Sequence, residues 1–249
     1  TYLQGQLTND IRGLDSKPWQ FSAHLNNKGR TLATFIITQY QENSYYLITS
    51  KSVIDKILPR LKMYILRSKV TLAISAKSIY LSDTQIDGGY NLQLSADKYL
   101  NISEPPQENT TDSNAWHKFL VDNALPMIYL ESIEKIIPQQ INYDLIGGIN
   151  FKKGCYTGQE IVARTHYLGK VKRRMAKFTT DTQPQIGQGV VSPLMDNQEI
   201  GTIIDYYQDG QNYHGLVSLQ NNCLDNAYLD ADNQQKLTCT TLIDESTGA

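Results

Sequence analysis

Apolar residues in the first part of the chain cluster in strand-sized blocks. Trp19 to Leu25 and Thr31 to Tyr40 predict two strands. Asn26-Asn27-Lys28-Gly29-Arg30 between them is turn chemistry, because Asn and Gly tolerate a positive φ. Tyr45 to Thr49 predicts a third, shorter strand. At Ser52 the period changes. Val53, Ile57, Leu61 and Ile65, with Ile54 and Leu58, recur at helical spacing and form one apolar stripe. Asp55 follows Ser52 at capping-box spacing, and Pro59 predicts a kink. Lys69 to Ser75 and Ser78 to Leu81 read as strands. Residues 104–114 are polar and rich in breakers, which predicts a loop. A helix is expected from near Ser113, with Trp116, Phe119, Leu120 and Ala124 on one face, ending before Pro126. Ile136 to Asn150 is mixed, with Gly147-Gly148 as a hinge-like turn. From Arg174 onward short strands such as Ile200 to Tyr207 and Tyr213 to Leu219 alternate with Gly, Asn and Asp turns. That pattern predicts a small all-β unit closed as a barrel.

Length and composition narrow the class. A chain of 249 residues makes one large domain or two small ones, and 40% hydrophobic content supports a sizeable core. No apolar run reaches the roughly 18–20 residues of a membrane-spanning helix. Three cysteines, Cys155, Cys223 and Cys239, are too few and too scattered for a disulfide scaffold, so a reducing, cytoplasmic setting is expected. No Cys/His group has zinc-site spacing, and no stably bound metal is expected. No signal peptide is visible. The opening Tyr2-Leu3-Gln4-Gly5-Gln6-Leu7 reads like the interior of a protein, so residues are expected before Thr1.

Charge is unevenly spread. Lys152, Lys153, Arg164, Lys170, Lys172, Arg173, Arg174 and Lys177 share their segment with one acid, Glu160. The rest of a chain of net charge −2 therefore carries −9. A basic stretch on an acidic body is either a solvated surface or a site for anions. An isoelectric point near 6.1 argues against a general nucleic-acid binder.

Chemistry concentrates around Cys155. Thr157 and Glu160 have capping-box spacing ahead of Ile161-Val162-Ala163, which predicts a helix opening just after Cys155. A helix N-terminus and the neighbouring Lys152 and Lys153 favour a thiolate over a thiol. Gly154 and Gly158 permit close backbone approach or a sharp turn. Cys223 and Cys239 lie in β-type stretches and read as small core residues. His166 lies eleven residues after Cys155. His24, His117 and His214 are isolated and read as structural or surface residues.

Lys153-Gly154-Cys155-Tyr156-Thr157-Gly158-Gln159-Glu160 matches the signature K-G-C-Y-x-G-Q-E, and the chain resembles the YgfZ family of folate-binding proteins. Ile137-Pro138-Gln139-Gln140 before it, and Val162-Ala163-Arg164, Gly169 and Lys172-Arg173 after it, extend the likeness. So do Gln4-Gly5-Gln6-Leu7-Thr8-Asn9-Asp10 and Lys28-Gly29-Arg30. That family is related to the T-protein of the glycine cleavage system, a tetrahydrofolate-dependent aminomethyltransferase. The resemblance implies an α+β fold, with two interleaved folate-binding subdomains around a central channel in residues 1–172 and a small β-barrel in residues 173–249. It implies a cytoplasmic protein that binds tetrahydrofolate or a derivative and supports iron–sulfur proteins or their assembly machinery, including enzymes that modify tRNA. It makes Cys155 the functional thiol, with Lys153, Gly154, Tyr156, Gly158, Gln159, Glu160 and Arg164 as supporting motif residues. Trp116 falls where the family carries a folate-site tryptophan, and Asp122 where a glutamate faces the pterin. A carboxylate there accepts two ring N–H groups. Ala124 replaces a frequent glycine. The family usually carries several tens of residues before this starting point and a longer stretch between Ser75 and Ser113.

Aligned on Gly29, the T-protein's catalytic aspartate falls at Ala33 or Thr34. Neither supplies a general base or a charge for an iminium-like cation, so aminomethyl transfer is not expected. Three readings stay open: a folate-binding accessory to iron–sulfur maintenance, a folate-dependent one-carbon transferase using Cys155, and an RNA-binding module using residues 164–177. Only Tyr167 and Phe178 offer aromatic rings near that run, so direct tRNA binding is the least expected.

Overall fold

The computed structural model describes residues 2–66, 68–104 and 113–243. Helix α1 (Tyr2–Gln6) leads through a 3-10 turn at Ile11–Asp15 into an antiparallel sheet, β1 (Gln20–Leu25), β2 (Thr31–Gln41) and β3 (Ser44–Ile48), in that order. β2 is buried from Thr31 to Thr38, as befits the central strand. After a 3-10 turn at Lys51–Val53, α2 (Ile54–Met63) runs on through Pro59 and buries Ile57 and Leu61. The expected Ser52–Asp55 capping box does not form. Val53 precedes α2 without a side-chain cap, and Ser52 Oγ instead accepts the Leu130 N–H at 3.1 Å.

Lys69 to Ser75 is not a strand. Among the described residues nothing pairs with it, and Ile74 stays 61% exposed. Alternation makes a strand only where a neighbour satisfies the backbone. The second sheet starts later, with β4 (Ser78–Ser82), β5 (Tyr90–Ser95) and β6 (Lys98–Ser103), in the order β4-β6-β5. No pattern in the sequence analysis predicts β5 and β6. Leu92, Leu100 and Ile102 bury against Ile36 and Ile48 of the first sheet. Most of the expected loop, residues 105–112, lies outside the described residues.

Helix α3 (Ser113–Asp122) buries Phe119, Leu120 and Val121. After it the chain winds through irregular turns to α4 (Gln159–Leu168). The remaining strands are β7 (Arg173–Thr180), β8 (Gly189–Ser192), β9 (Gln198–Asp209), β10 (Asn212–Gln220), β11 (Ala227–Tyr228) and β12 (Lys236–Thr241). They close a six-stranded barrel in the order β10-β7-β12-β11-β8-β9. Phe178, Val190 and Ile203 fill its interior. Met175, Ile204 and Leu216 point outward and join Leu25, Phe35 and Val162 in the largest core, so the barrel docks through an apolar face. Asn142 fixes that docking. Its amide donates to the Met175 carbonyl at 3.2 Å, and its oxygen accepts the Met175 N–H at 3.2 Å. Among the described residues no helix is long and apolar enough to cross a membrane.

One contact joins the sheet to the motif. Gly158, at φ 81°, precedes α4 and packs on Gly29, at φ 69°, in the β1–β2 turn. A Cβ at 158 would collide with the Asn26 carbonyl, and one at 29 would lie 2.7 Å from Ile161 Cβ. Gly158→Ala is expected to lose about 2–4 kcal/mol, combining left-handed strain with overpacking. Gly154→Ala, with nothing within 4 Å of its added carbon, is the control. Urea unfolding checks the pair, and equal midpoints would overturn the assignment.

Candidate functional site

The motif is built on a buried lysine. Lys153 is 6% exposed, and its ammonium donates to the carbonyls of Gln4 at 2.7 Å, Leu7 at 2.6 Å and Asn9 at 3.0 Å. Three N–H donors meet three acceptors, which is the full capacity of the group. Burial pulls its pKa down to about 8, against an opposing pull from Asp10. The Tyr156 ring lies 5.1 Å from the ammonium, and burial raises the tyrosine's own pKa. The same N-terminal segment holds the other side of the motif. Thr8 Oγ1 donates to the Gly148 carbonyl at 2.7 Å, the Asn150 N–H donates to the Thr8 carbonyl at 3.0 Å, and Asn9 Nδ2 donates to the Gly147 carbonyl at 2.8 Å. Gly147-Gly148 is therefore a pinned turn, not a hinge. A Cβ at 148 would enter the Tyr143 ring.

Cys155 is exposed, Cys223 is buried and Cys239 is half-buried, with its thiol pushed up to about 12 by burial. The expected Thr157–Glu160 box does not form. Gly158 holds the N-cap position and has no side chain to cap with, and an added Cβ there would meet the Asn26 carbonyl and Gly29 Cα of the β1–β2 turn. Cys155 thus precedes α4 by four residues and does not sit on its first turn. Nor does Lys153 lend Cys155 a free charge, since its ammonium is spent on carbonyls. Gly154, Glu160 and Arg164 are exposed, and Gln159 is half-exposed.

The basic run divides in two. Lys153, Arg173, Arg174 and Lys177 are structural ties. Arg174 bonds Asp144 at 2.6 Å and the Gln139 carbonyl at 3.0 Å, Arg173 bonds the Glu199 carbonyl at 2.9 Å, and Lys177 bonds the Asp122 carbonyl at 2.7 Å. Lys152, Arg164, Lys170 and Lys172 are exposed, and their side-chain charges have no ion pair or hydrogen bond among the described residues. Phe178 lies inside the barrel, whereas Tyr167 is 64% exposed.

An open cavity of about 600 Å³ lies where the motif meets the N-terminal segment. Asn9, Asp10, Gln20, Asn150, Phe151 and Lys152 line it, with His166 and Tyr167 from α4 and Lys17 opposite. Phe151 stacks on His166 with centroids 3.7 Å apart and planes 11° from parallel, and Tyr167 meets both rings edge-on. Asp10, the one acid in the wall, is held well below the usual carboxylate range by its hydrogen bonds from Arg12. Lys17 and Lys152 have no side-chain partner among the described residues. The wall thus combines flat rings, amides and unpaired cations. Sequence reading missed it because Phe151, His166 and Lys17 carry no motif spacing.

Trp116 and Asp122 lie elsewhere. Trp116 is half-buried between two apolar clusters and stacks on Phe119 at 6.0 Å. The Asp122 carboxylate takes Lys118 at 2.9 Å and the Tyr207 hydroxyl at 3.2 Å, tying α3 to the barrel. Neither residue lines the cavity. Ala33 and Thr34 are buried in β2, and Thr34 Oγ1 accepts the Ile128 N–H at 3.0 Å. His24 is fully buried as expected, whereas His117 is not isolated and pairs with Asp205 at 2.6 Å.

No protein-family model matches the chain. It is similar to tRNA-modifying protein YgfZ of Photobacterium profundum, at 34% identity over 85% of this chain and 75% of that protein. Similarity to tRNA-modifying protein YgfZ of Aliivibrio fischeri strain MJ11 is 30%, over 95% of this chain and 82% of the relative. An uncharacterized protein of Haemophilus influenzae is 31% identical, over 95% and 86%. Among solved structures, the glycine cleavage system aminomethyltransferase T of Bartonella henselae matches with a TM-score of 0.61. It is 12% identical, over 88% of this chain and 72% of that one, so the likeness is one of fold.

Two outcomes follow from this geometry. Iodoacetamide on the folded protein is expected to modify one cysteine, Cys155, with Cys223 and Cys239 reacting only after unfolding. Peptide mass spectrometry reads this, and early labelling at 223 or 239 would contradict the burial described. The second concerns Lys153. Its folded pKa lies below the unfolded value, so the unfolded chain binds more protons between about pH 8 and 10.5. Lys153 therefore adds to stability as pH rises through that window. The urea midpoint of the wild type should gain on that of Lys153→Met from pH 7.5 to 10, and parallel profiles would count against the buried charge.

Proposed function

We propose that this chain, which belongs to the YgfZ family of tRNA-modifying proteins, is a tetrahydrofolate-binding accessory protein for iron–sulfur proteins, with Cys155 as its working thiol. One observation carries the reading: the cavity beside the motif combines a stacked aromatic wall with unpaired cations. A reduced folate has a flat bicyclic ring and an anionic glutamyl tail, and this wall matches both parts. Phe151, with His166 and Tyr167, offers ring surface. Lys17 and Lys152 offer charge to carboxylates. The free amide of Asn150 can donate, because its oxygen already accepts the Lys152 N–H at 2.9 Å. Trp116 and Asp122 fit a pterin less well, since the indole is packed between apolar clusters and the carboxylate is paired.

Bound tetrahydrofolate supplies a carrier for one-carbon units. The chain's own contribution is the thiol. Cys155 is three residues from Lys152, so about 10–11 Å of chain separates it from the cavity wall at most. An exposed thiol on a rigid, lysine-pinned segment is suited to transient ligation of a client's cluster iron, with the thiol proton passing to solvent. Replacement of the T-protein's aspartate by buried Ala33 and Thr34 supports an accessory role over aminomethyl transfer.

Calorimetry with tetrahydrofolate tests the ligand. Phe151→Ala and Lys152→Glu should each weaken binding by about tenfold or more, about 1.4 kcal/mol. Trp116→Ala and Cys155→Ala should bind like the wild type. Loss in Trp116→Ala with Phe151→Ala unaffected would move the ligand to α3, and a folded wild type that binds nothing would overturn the ligand. The thiol is tested in cells. Cys155→Ala should lower the activity of iron–sulfur enzymes that modify tRNA while leaving folate binding intact, and normal activity would remove Cys155 from the function.

A further inference from the structure

The junction between α3 and the barrel holds a second constellation that the folate reading does not use. Asp205 in β9 is fully buried, yet it faces out of the barrel. A β-bulge explains this. Leu216 pairs with Asp205 and Val217 with Ile203, so β9 carries one extra residue, Ile204. Ile203 then points into the barrel, and Ile204 and Asp205 both point outward. Gly215 on β10 accommodates the kink, since a Cβ there would meet the Asp205 carbonyl and the Phe178 ring.

The carboxylate is fully engaged. It accepts the Tyr129 hydroxyl at 2.8 Å and the Tyr206 N–H at 2.8 Å, and His117 Nδ1 lies 2.6 Å from it. A carboxylate so placed accepts only, so Nδ1 carries the hydrogen. These bonds fix the imidazole, and the hydrogen bond that it donates to Asp205 raises its pKa, against desolvation. The other ring nitrogen, Nε2, has no partner among the described residues and is not sealed from solvent. His117 lines a cavity of about 200 Å³ whose walls include Tyr206, Tyr207, Tyr213, Ile186 and Gln183. Among the described residues that line it, none is acidic and none is Lys or Arg. An imidazole held by a buried aspartate, on the wall of a cavity and with its second nitrogen unsealed, has a donor position to offer a ligand. Packing alone requires neither the bulge nor the open Nε2.

We propose that this junction is a second binding site, for a small single-ring carboxylate whose oxygen accepts the His117 Nε2–H while its ring lies among the tyrosines. The volume sets the size. The cavity is open to solvent, and its volume encloses about one substituted ring, short of the roughly 300 Å³ that surrounds a larger ligand. The charge sets the class. Asp205 favours the imidazolium, and a carboxylate is the acceptor that gains most from it. A reduced folate is too large for this cavity, so the site stands apart from the one above.

Nicotinate is the probe, and nicotinamide is the control of the same size without the charge. Histidine ring signals are followed by nitrogen-edited NMR on the whole protein. Nicotinate is expected to shift the His117 ring saturably and leave His24 and His166 unmoved. Nicotinamide should bind about tenfold more weakly or worse. Asp205→Asn should reduce binding. Gln183→Trp, at an exposed loop position outside the hydrogen-bonded cluster, should block the cavity while the His117 signal of the folded protein persists. A nicotinate shift at His166 alone would assign the carboxylate to the larger cavity and overturn the proposal. So would unchanged binding in Gln183→Trp, equal binding of the amide, or no saturable shift in the folded wild type.

Discussion

A single buried ammonium holds the frame of the site. Lys153 joins the motif to the carbonyls of Gln4 in α1 and of Leu7 and Asn9 just beyond it. A buried charge is costly unless every donor is matched, and here the match is complete. The relation is mutual. Without Lys153 three carbonyls of the N-terminal segment would be stranded, and without that segment the lysine could not be buried. Segments about 146 residues apart in sequence must therefore fold together before the cavity has a floor.

The barrel plays the complementary part. Its outward residues enter the main core, and Asn142 and Arg174 stitch β7 to the turn before the motif. This sorts the basic run by function. Arg173, Arg174 and Lys177 on β7, with buried Lys153, are consumed as structural ties, and Lys152, Arg164, Lys170 and Lys172 stay free among the described residues. A run that looks uniform in sequence is half scaffold and half exposed charge, and only the free half has any potential to offer an anion.

Much of the architecture was legible because burial leaves periodicity. β1, β2 and the helices at α2 and α3 follow their apolar stripes, and the barrel follows its turns. The failures share one cause, which is that partnership is not written locally. Lys69 to Ser75 has no strand neighbour among the described residues, while β5 and β6 pair within their own sheet and bury their apolar residues against the first. Both expected capping boxes had the right spacing and lost to tertiary contacts, Ser52 to Leu130 and the start of α4 to the Gly29 turn. Of the site, the motif and its exposed cysteine could be read directly. Phe151 on His166, and Asp205 on His117 from 88 residues away, could not.

This placement constrains what Cys155 can do. The two local aids that sequence suggested, a helix terminus and Lys153, are both taken up by the fold. The thiol is left exposed on a segment that cannot drift, because Lys153 and Tyr156 on either side of it are buried. Such a group is held in position, while the helix terminus and the ammonium nearest to it are both committed elsewhere. In the role proposed above, its reactivity would be set by what is brought to it, either a bound ligand whose anionic groups rearrange the free lysines or a client that supplies its own metal. A thiol activated from within would react with any electrophile in the cell. One that waits for its partner reacts selectively, which suits an accessory protein better than an enzyme with a preformed nucleophile.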